Sequence, residues 1–294
     1  MVDCLLHGQG DVFKALRREG ATMVRLDLCD PGAPVAAVAE ADAVIHLAAI
    51  VGDPACARQP KLSQAVNVDA SLALIQAARA SGVARFIFAS TCSNYGRMAD
   101  STVAIDEQGE LRPVSLYARQ KVAVERMLLE TDSAPPVTTC LRLATVYGPS
   151  ERMRFDLTVN QFTRDIWAGR RLEVYGERFW RPYLHVRDAA RSLRAVLEAR
   201  EDRVMREVFN VGRTDENYRK LDLVEIVRAQ LGDGDVVFVQ RDEDPRDYRV
   251  SFEKFRRQIG HMPQRRVPEG VAGVVDALTQ DRFGDPFDDR HTNI

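Results

Sequence analysis

The chain has 294 residues, 45% hydrophobic, 29% charged and 7% aromatic, enough apolar side chain to bury one large core plus a smaller lobe, which excludes a fibre, a peptide-like module or a disordered tail. Its 41 basic and 43 acidic residues leave a net charge of −2, so no global electrostatic argument supports a nucleic-acid or anionic-membrane partner. Cys4, Cys29, Cys56, Cys92 and Cys140 show no CxxC spacing, no apolar run approaches about 20 residues, and the start MVDCLLHGQG has no export-signal pattern, so the expectation is a cytoplasmic protein with neither a disulfide framework nor a metal cluster.

Short apolar runs alternate with amphipathic stretches, the order of a parallel sheet with helices on its faces. VFKALRREG (12–20) reads as a helix and ATMVRLDL (21–28) as a strand. Within 37–49 the run AVIHL reads as a buried strand ahead of a small-residue turn. In SQAVNVDASLALIQAARASGV (63–83) Val66, Ala70, Leu74 and Ala77 recur at three- and four-residue steps and Gly82 is a stop, predicting one helix of at least four turns. RFIFAS (85–90) is continuous and apolar, as a strand covered on both faces should be. SLYARQKVAVERMLLE (115–130) predicts a second long helix, and beyond Pro135-Pro136 the run VTTCLRLATVYGP (137–149) repeats the unit. Residues 1–150 therefore read as an open, doubly wound α/β domain.

Residues 151–294 read mainly as a smaller mixed α/β lobe with segments returning to the first domain. A helix is expected around 157–168, strands at LEVYG (172–176), EVFNVG (207–212) and VVFV (236–239), and a helix at LDLVEIVRAQLG (221–232). RPYLHVRDAARSLRAVLEA (181–199) lies between them, and the tail GDPFDDRHTNI reads as frayed.

Tyr117 and Lys121 stand four apart, on one face of a helix. A Lys beside a phenol favours the phenolate and turns a side chain that titrates near 10 into a base at neutral pH. The bland alternative is a partly exposed Tyr and a solvated Lys. Only five of the 41 basic residues are Lys, however, and in an Arg-rich chain a Lys brings a compact charge and an adjustable pKa. RFIFASTCSNYG ends a strand in the hydroxyls Ser90, Thr91 and Ser93, where ligands of doubly wound sheets sit. Thr91 reads either as a donor to a substrate oxygen or as a strand cap. Cys92 has no accompanying base in the sequence and reads as inert.

VIHLAA (44–49), AVNVDASLALIQAARASGV (65–83), RFIFASTCSNYG, SLYARQK, LRLATVYGP and RPYLHVRDAA stand in the order and spacing of the extended short-chain dehydrogenase/reductases, and the chain resembles their nucleotide-sugar epimerase/dehydratase group. The resemblance covers nearly the whole chain and implies a Rossmann-like NAD-binding domain. Thr91 then matches the catalytic Ser/Thr and Tyr117 the acid/base, and Tyr117 and Asn67 count with Lys121 among the residues the resemblance places at NAD. Lys121 matches the residue that lowers the Tyr pKa and holds the nicotinamide ribose. Asn67 matches the helix Asn that braces the site. Leu47, Ala48 and Ala49 would lie against the adenosine half of NAD, with Asp27 and Leu28 near the adenine. Asp3, at the end of a short apolar run, matches the acid that binds the adenosine ribose and favours NAD over NADP. The family pattern places a strand, a Gly-x-x-Gly-x-x-Gly turn and a helix, about 35 residues, before that acid; HGQG (7–10) does not replace them. The expectation is that the working protein has that segment outside the sequence considered.

For the substrate, a nucleotide-diphosphate sugar, the resemblance assigns Asn160 near the phosphates and Arg181 to the diphosphate. It matches Arg241 and Asp244 loosely to a second phosphate Arg and a ribose-binding Asp, with Arg246 as a competing candidate and Ser93 beside Thr91. Family 4,6-dehydratases carry Thr-Asp-Glu at Thr91-Cys92-Ser93, and both carboxylates are missing here. Pro182 replaces the usual Asp, and Thr145 stands where Asn is common. The resemblance therefore implies NAD-dependent epimerisation through a transient ketone. A nucleotide-sugar ketoreductase and a cofactor-impaired binding homologue are the alternatives. The helices carrying Asn67 and Tyr117 resemble those that pair in family homodimers.

Overall fold

The computed structural model describes residues 1–8, 16–98, 100–130, 135–239 and 246–293. Two compact units emerge, each from three stretches of chain: Met1–Ser90, Ser115–Cys140 and Val196–Glu207 form the first, and Thr91–Val114, Leu141–Ala195 and Val208–Ile294 the second.

In the first unit β1 (Val2–Asp3) pairs in parallel with β2 (Val24–Arg25), Asp3 opposite Arg25. The strand expected over 21–28 is thus two residues long; of the helix expected over 12–20, residues 16–18 are helical and 12–15 lie outside the described residues. α1 (Ala33–Val38) follows Gly32, whose φ of +80° suits glycine, and Pro34 sits in its first turn. β3 (Ala43–His46) pairs in parallel with β4 (Arg85–Thr91), His46 opposite Phe88. Phe86, Ile87 and Phe88 are buried as the unbroken apolar run requires, but the burial expected of AVIHL is not met, because Ile45 is 38% exposed. Among the described residues β3 has one hydrogen-bonded neighbour, so less of its side-chain area is covered.

The long helix expected over 63–83 is segmented. After α2 (Asp53–Arg58) and α3 (Pro60–Gln64) comes a five-residue π turn, Ala65–Asp69, and only then α4 (Ala70–Ala80). A π turn widens the helix locally, and here it buries Asn67 and Val68. Apolar spacing does not distinguish it from an α turn, because the buried face is continuous through it. Gly82 stops the run at φ +71° as expected. α5 (Leu116–Glu130) buries Ala118, Val122, Val124 and Leu128, together with the polar Gln120, Lys121 and Glu125. Glu125 is satisfied by the Ser90 hydroxyl, which donates to it at 2.7 Å.

β5 (Val137–Leu143) leads into the second unit, where β6 (Thr145–Tyr147), α6 (Thr158–Trp167), β7 (Leu172–Tyr175) and β8 (Trp180–His185) follow. α7 (Val186–Glu198), β9 (Glu207–Val211), β10 (Asn217–Arg219), α8 (Lys220–Leu231), β11 (Val236–Val239), α9 (Glu253–Ile259) and α10 (Val267–Thr279) complete the chain. One sheet has the order β3-β4-β5-β9, and another the order β10-β8-β6, with β8 antiparallel to β10 and parallel to β6. β7 and β11 form a parallel pair. This is the expected Rossmann-like α/β class with mixed smaller sheets. The second unit's core gathers Tyr147, Phe162, Ile166, Val174, Tyr183, Val224 and Val271.

The tail departs from the frayed end expected. Phe283 and His291 are buried against Phe155, with ring centroids 5.5 and 5.6 Å from it, and the Phe155 amide donates to the His291 carbonyl at 2.9 Å. His291 against Phe155 and Phe283, and Phe287 under the Arg164 and Arg170 guanidinium groups, are the ring contacts that hold residues 284–293 down.

Candidate active site

In the first unit Ser115 opens α5: its hydroxyl oxygen accepts the Ala118 N–H at 3.2 Å and its carbonyl the Arg119 N–H at 3.0 Å. Tyr117 therefore sits in the first helical turn, where the positive end of the helix dipole favours an anion. One turn on, Lys121 is 3% exposed; its Nζ donates to the Ala89 carbonyl at 2.9 Å and lies 4.7 Å from the Phe88 ring centroid and 5.8 Å from that of Tyr117. The solvated-lysine alternative is therefore excluded. Burial pulls the Lys121 pKa down to about 8, because a low-dielectric surrounding penalises the ammonium.

Around this pair the polar groups are buried and mutually satisfied. The Asn67 Oδ1 accepts the Ile50 N–H at 2.8 Å, and its Nδ2 donates to the Ile50 carbonyl at 3.0 Å and to the Gln120 Oε1 at 2.9 Å. Ser71 donates its hydroxyl proton to the Asn67 carbonyl at 2.9 Å, so the His46 Nε2, 2.8 Å from the Ser71 Oγ, is assigned the proton of a neutral imidazole. Burial, and then the Lys121 charge, push the His46 pKa down to about 3. A second cation beside Lys121 is thereby avoided at neutral pH. Gln120 and His46 were not read as site residues from the sequence. The detectable signal was a long polar side chain three residues after Tyr117, on a face otherwise apolar.

Asp3 ends β1, and Asp27 follows the end of β2. One Asp3 oxygen accepts the Leu5 N–H at 2.7 Å and one Asp27 oxygen the Cys29 N–H at 2.9 Å. These local turns fix the carboxylates, the Cys29 thiol also bonding to Asp27, and leave Asp3 a second oxygen. Leu28 and Ala49 are half-buried, whereas Leu47, at the end of β3, is 53% exposed and Ala48 is exposed as well.

In the second unit Thr91 caps a short 3-10 turn, Cys92–Tyr95, its Oγ1 accepting the Ser93 N–H at 3.1 Å. The strand-cap reading is observed, and the Thr91 hydroxyl proton remains a donor. Cys92 is buried and its thiol donates to the Arg142 carbonyl at 3.2 Å, as an inert cysteine should be. The Ser93 Oγ lies 3.3 Å from the Tyr248 hydroxyl. Arg181 stacks over the Tyr248 ring at 5.0 Å and donates to the Trp180 carbonyl at 2.7 Å. Arg246 is half-buried and its charge reaches Tyr248, though burial still pushes that phenol's pKa up. These contacts bring Ser93, Arg181 and Arg246 around Tyr248, a residue hidden in the charged run of the sequence. Arg241 and Asp244 lie outside the described residues. Asn160 is elsewhere engaged: on buried α6 its Oδ1 accepts the Gly148 N–H and its Nδ2 donates to the Arg154 carbonyl, both at 2.9 Å. One donor and one acceptor site of its carboxamide remain.

The model of the NAD dependent epimerase/dehydratase family matches residues 6–212. A dTDP-glucose 4,6-dehydratase of Streptomyces niveus is 28% identical over 266 residues, covering 88% of this chain and 76% of the relative. A probable UDP-glucuronate 4-epimerase of Rhizobium meliloti (strain 1021) is 29% identical over 266 residues, covering 83% and 76%. Among solved structures, MoeE5 in complex with UDP-glucuronic acid and NAD superposes with a TM-score of 0.80 at 26% identity, covering 92% of this chain and 95% of that one.

Proposed function

Because the chain belongs to the NAD dependent epimerase/dehydratase family, we propose that it epimerises a nucleotide-diphosphate sugar through a transient ketone, using NAD. The observation that carries the choice is local. A buried Lys121 backs Tyr117, while the two residues after Thr91 are Cys92, bonded to a carbonyl, and Ser93, facing a phenol. The Tyr117–Lys121 pair supports proton transfer at a carbinol, and neither of the two residues after Thr91 is a carboxylate that could help expel water.

The residues present fit the two ribose ends of NAD. Lys121 has spent one of its three N–H donors on Ala89, and Asp3 keeps a carboxylate oxygen beyond its turn bond. Lys121 would hold the nicotinamide ribose; Asp3 would hold the adenosine ribose, with Asp27, Leu28, Leu47, Ala48 and Ala49 on the adenosine side and Asn67 as the brace. Bound NAD supplies a hydride acceptor and donor. Tyr117, its phenolate favoured by Lys121 and by the amino end of α5, takes the sugar hydroxyl proton and later returns it. Thr91 donates to the reacting oxygen, with Ser93 beside it. Arg181 grips the diphosphate, a role a planar guanidinium fills in bidentate fashion. Arg246, Arg241 and Asp244 serve the nucleotide, and Asn160 turns its remaining N–H toward the phosphates.

The test is incubation of the full chain with UDP-glucuronic acid, UDP-glucose and dTDP-glucose in turn. The expected product has unchanged mass and one inverted carbinol by NMR. Loss of one water would make the protein a dehydratase, and absence of any NAD affinity would remove the redox mechanism altogether. A homodimer through α4 and α5 belongs to the same reading; a monomer by light scattering would overturn it. Among the described residues no helix is long and apolar enough to cross a membrane.

A further inference from the structure

Gln120 occupies a position that packing alone does not explain. It is 3% exposed, and its carboxamide spans two segments remote in sequence. Its Oε1 accepts from the Asn67 Nδ2 at 2.9 Å, 53 residues away, and its Nε2 donates to the Ser63 Oγ at 3.0 Å, 57 residues away. Ser63, itself fully buried, passes its proton to the Pro60 carbonyl at 3.1 Å. The Asn67 carboxamide N–H groups serve the Ile50 carbonyl and the Gln120 Oε1, the Gln120 carboxamide N–H serves Ser63 and the Ser63 hydroxyl serves Pro60, so from Asn67 to Pro60 the donors point one way. An apolar residue would fill the same volume, yet it would leave the Ser63 and Asn67 groups without these partners.

The chain of bonds reaches the site from below. Asn67 fixes both backbone groups of Ile50, and Ile50 packs with Ala55 and Cys56 in a small buried cluster against which the Tyr117 ring lies. The Cys56 thiol donates to the same Ile50 carbonyl at 3.3 Å. On α5 itself Gln120 stands three residues after Tyr117 and one before Lys121, so its tether acts on the helical turn that carries both. The π turn at Ala65–Asp69 fits this role, since it is what buries Asn67 against the facing helix.

We propose that Gln120 is a positioning residue: its carboxamide ties α5 to the Asn67 π turn and to α3, and so sets how deep the Tyr117 ring and the Lys121 ammonium sit. The inference rests on the epimerase reading for its catalytic consequence, but its structural consequence is readable without turnover. If the tether is cut, α5 loosens, water reaches the Lys121 Nζ, and the phenol loses its fixed floor.

The experiment uses the full chain with Gln120→Met, which cuts both bonds at similar volume, and Ser63→Ala, which cuts only the distal one. The chain has five lysines, so 13Cε-lysine NMR resolves the Lys121 titration once Lys121→Arg has identified its signal. In Gln120→Met the Lys121 midpoint should rise by about one unit from its wild-type value, toward ordinary solvation. With UDP-glucuronic acid as probe, kcat should fall about tenfold while KM stays within about twofold, the sign of misplacement rather than lost binding. Ser63→Ala should move both readouts in the same direction by less. A folded Gln120→Met with an unmoved Lys121 midpoint overturns the proposal. If Gln120→Met does not fold, an unmoved midpoint in Ser63→Ala overturns it instead. If the wild-type chain binds no NAD and converts none of the three sugar nucleotides, the epimerase reading falls, and the Lys121 titration alone still decides the role of Gln120.

Discussion

The two units prepare their functional side chains in different ways. In the first, the reactive pair comes from one helix, and the surrounding polar groups form a closed buried set: Lys121 on Ala89, Asn67 on Ile50 and Gln120, His46 on Ser71. In the second, Ser93, Arg181 and Arg246 come from separate strands and loops and gather at one aromatic ring, Tyr248. The first unit thus stores its electrostatics in burial, and the second in stacking and charge. Removing a group from the first should change chemistry or the pH response, whereas removing one of the groups around Tyr248 in the second should change affinity.

The largest effect is expected at Tyr117. Tyr117→Phe keeps the ring on its apolar cluster and removes only the proton carrier, so turnover should drop about a thousandfold with the fold unchanged. Retained turnover would break the comparison at once. Next comes Lys121, whose folded pKa of about 8 lies below the ordinary value near 10.5. Between those values the unfolded chain binds more protons than the folded one, so stability should rise with pH from about 8 to about 10.4, by at most about 3 kcal/mol. Denaturant titrations should show that slope in the wild type and its loss in Lys121→Met. A flat wild-type profile would mean that burial does not tune this amine.

Arg181 sharpens the other side. Arg181→Ala should raise KM for a nucleotide sugar about ten- to hundredfold with kcat little changed, and Arg181→Lys should restore little, since an ammonium cannot replace a stacked fork. A fall in kcat alone would transfer Arg181 to the chemical step. The smallest effect is expected at Asn160, whose two buried hydrogen bonds hold the Gly148 and Arg154 backbone. Asn160→Ala should cost about 1–2 kcal/mol in denaturant unfolding and change KM less than Arg181→Ala does. A KM effect equal to that of Arg181 would make Asn160 chiefly a ligand contact.

Much of the first unit was legible residue by residue. The unbroken apolar run at Phe86–Phe88, the stop at Gly82 and the one-turn spacing of Tyr117 and Lys121 follow from local rules of period and turn, and the structure carries all three. The exposure of Ile45, the π turn at Asn67 and the anchored tail were not legible. Each depends on what lies opposite: the number of strands beside β3, the helix facing Asn67, and the Phe155 ring that receives His291. In the second unit the Arg181 motif was legible, but Tyr248 lay unnoticed in a charged run because its partner Ser93 is 155 residues away.

By itself, then, the sequence determined the α/β order and the presence of Tyr117, Lys121 and Thr91 at positions where local geometry can present them. A helix repeats every 3.6 residues and a strand alternates its side chains between two faces whatever surrounds them. Only the tertiary structure decided that Lys121 is desolvated, that His46 stays neutral, and that Gln120 closes a hydrogen-bonded path from Asn67 to Ser63. Burial and long-range hydrogen bonding are properties of the partners a residue meets, and those are chosen by packing across the chain rather than by neighbours along it.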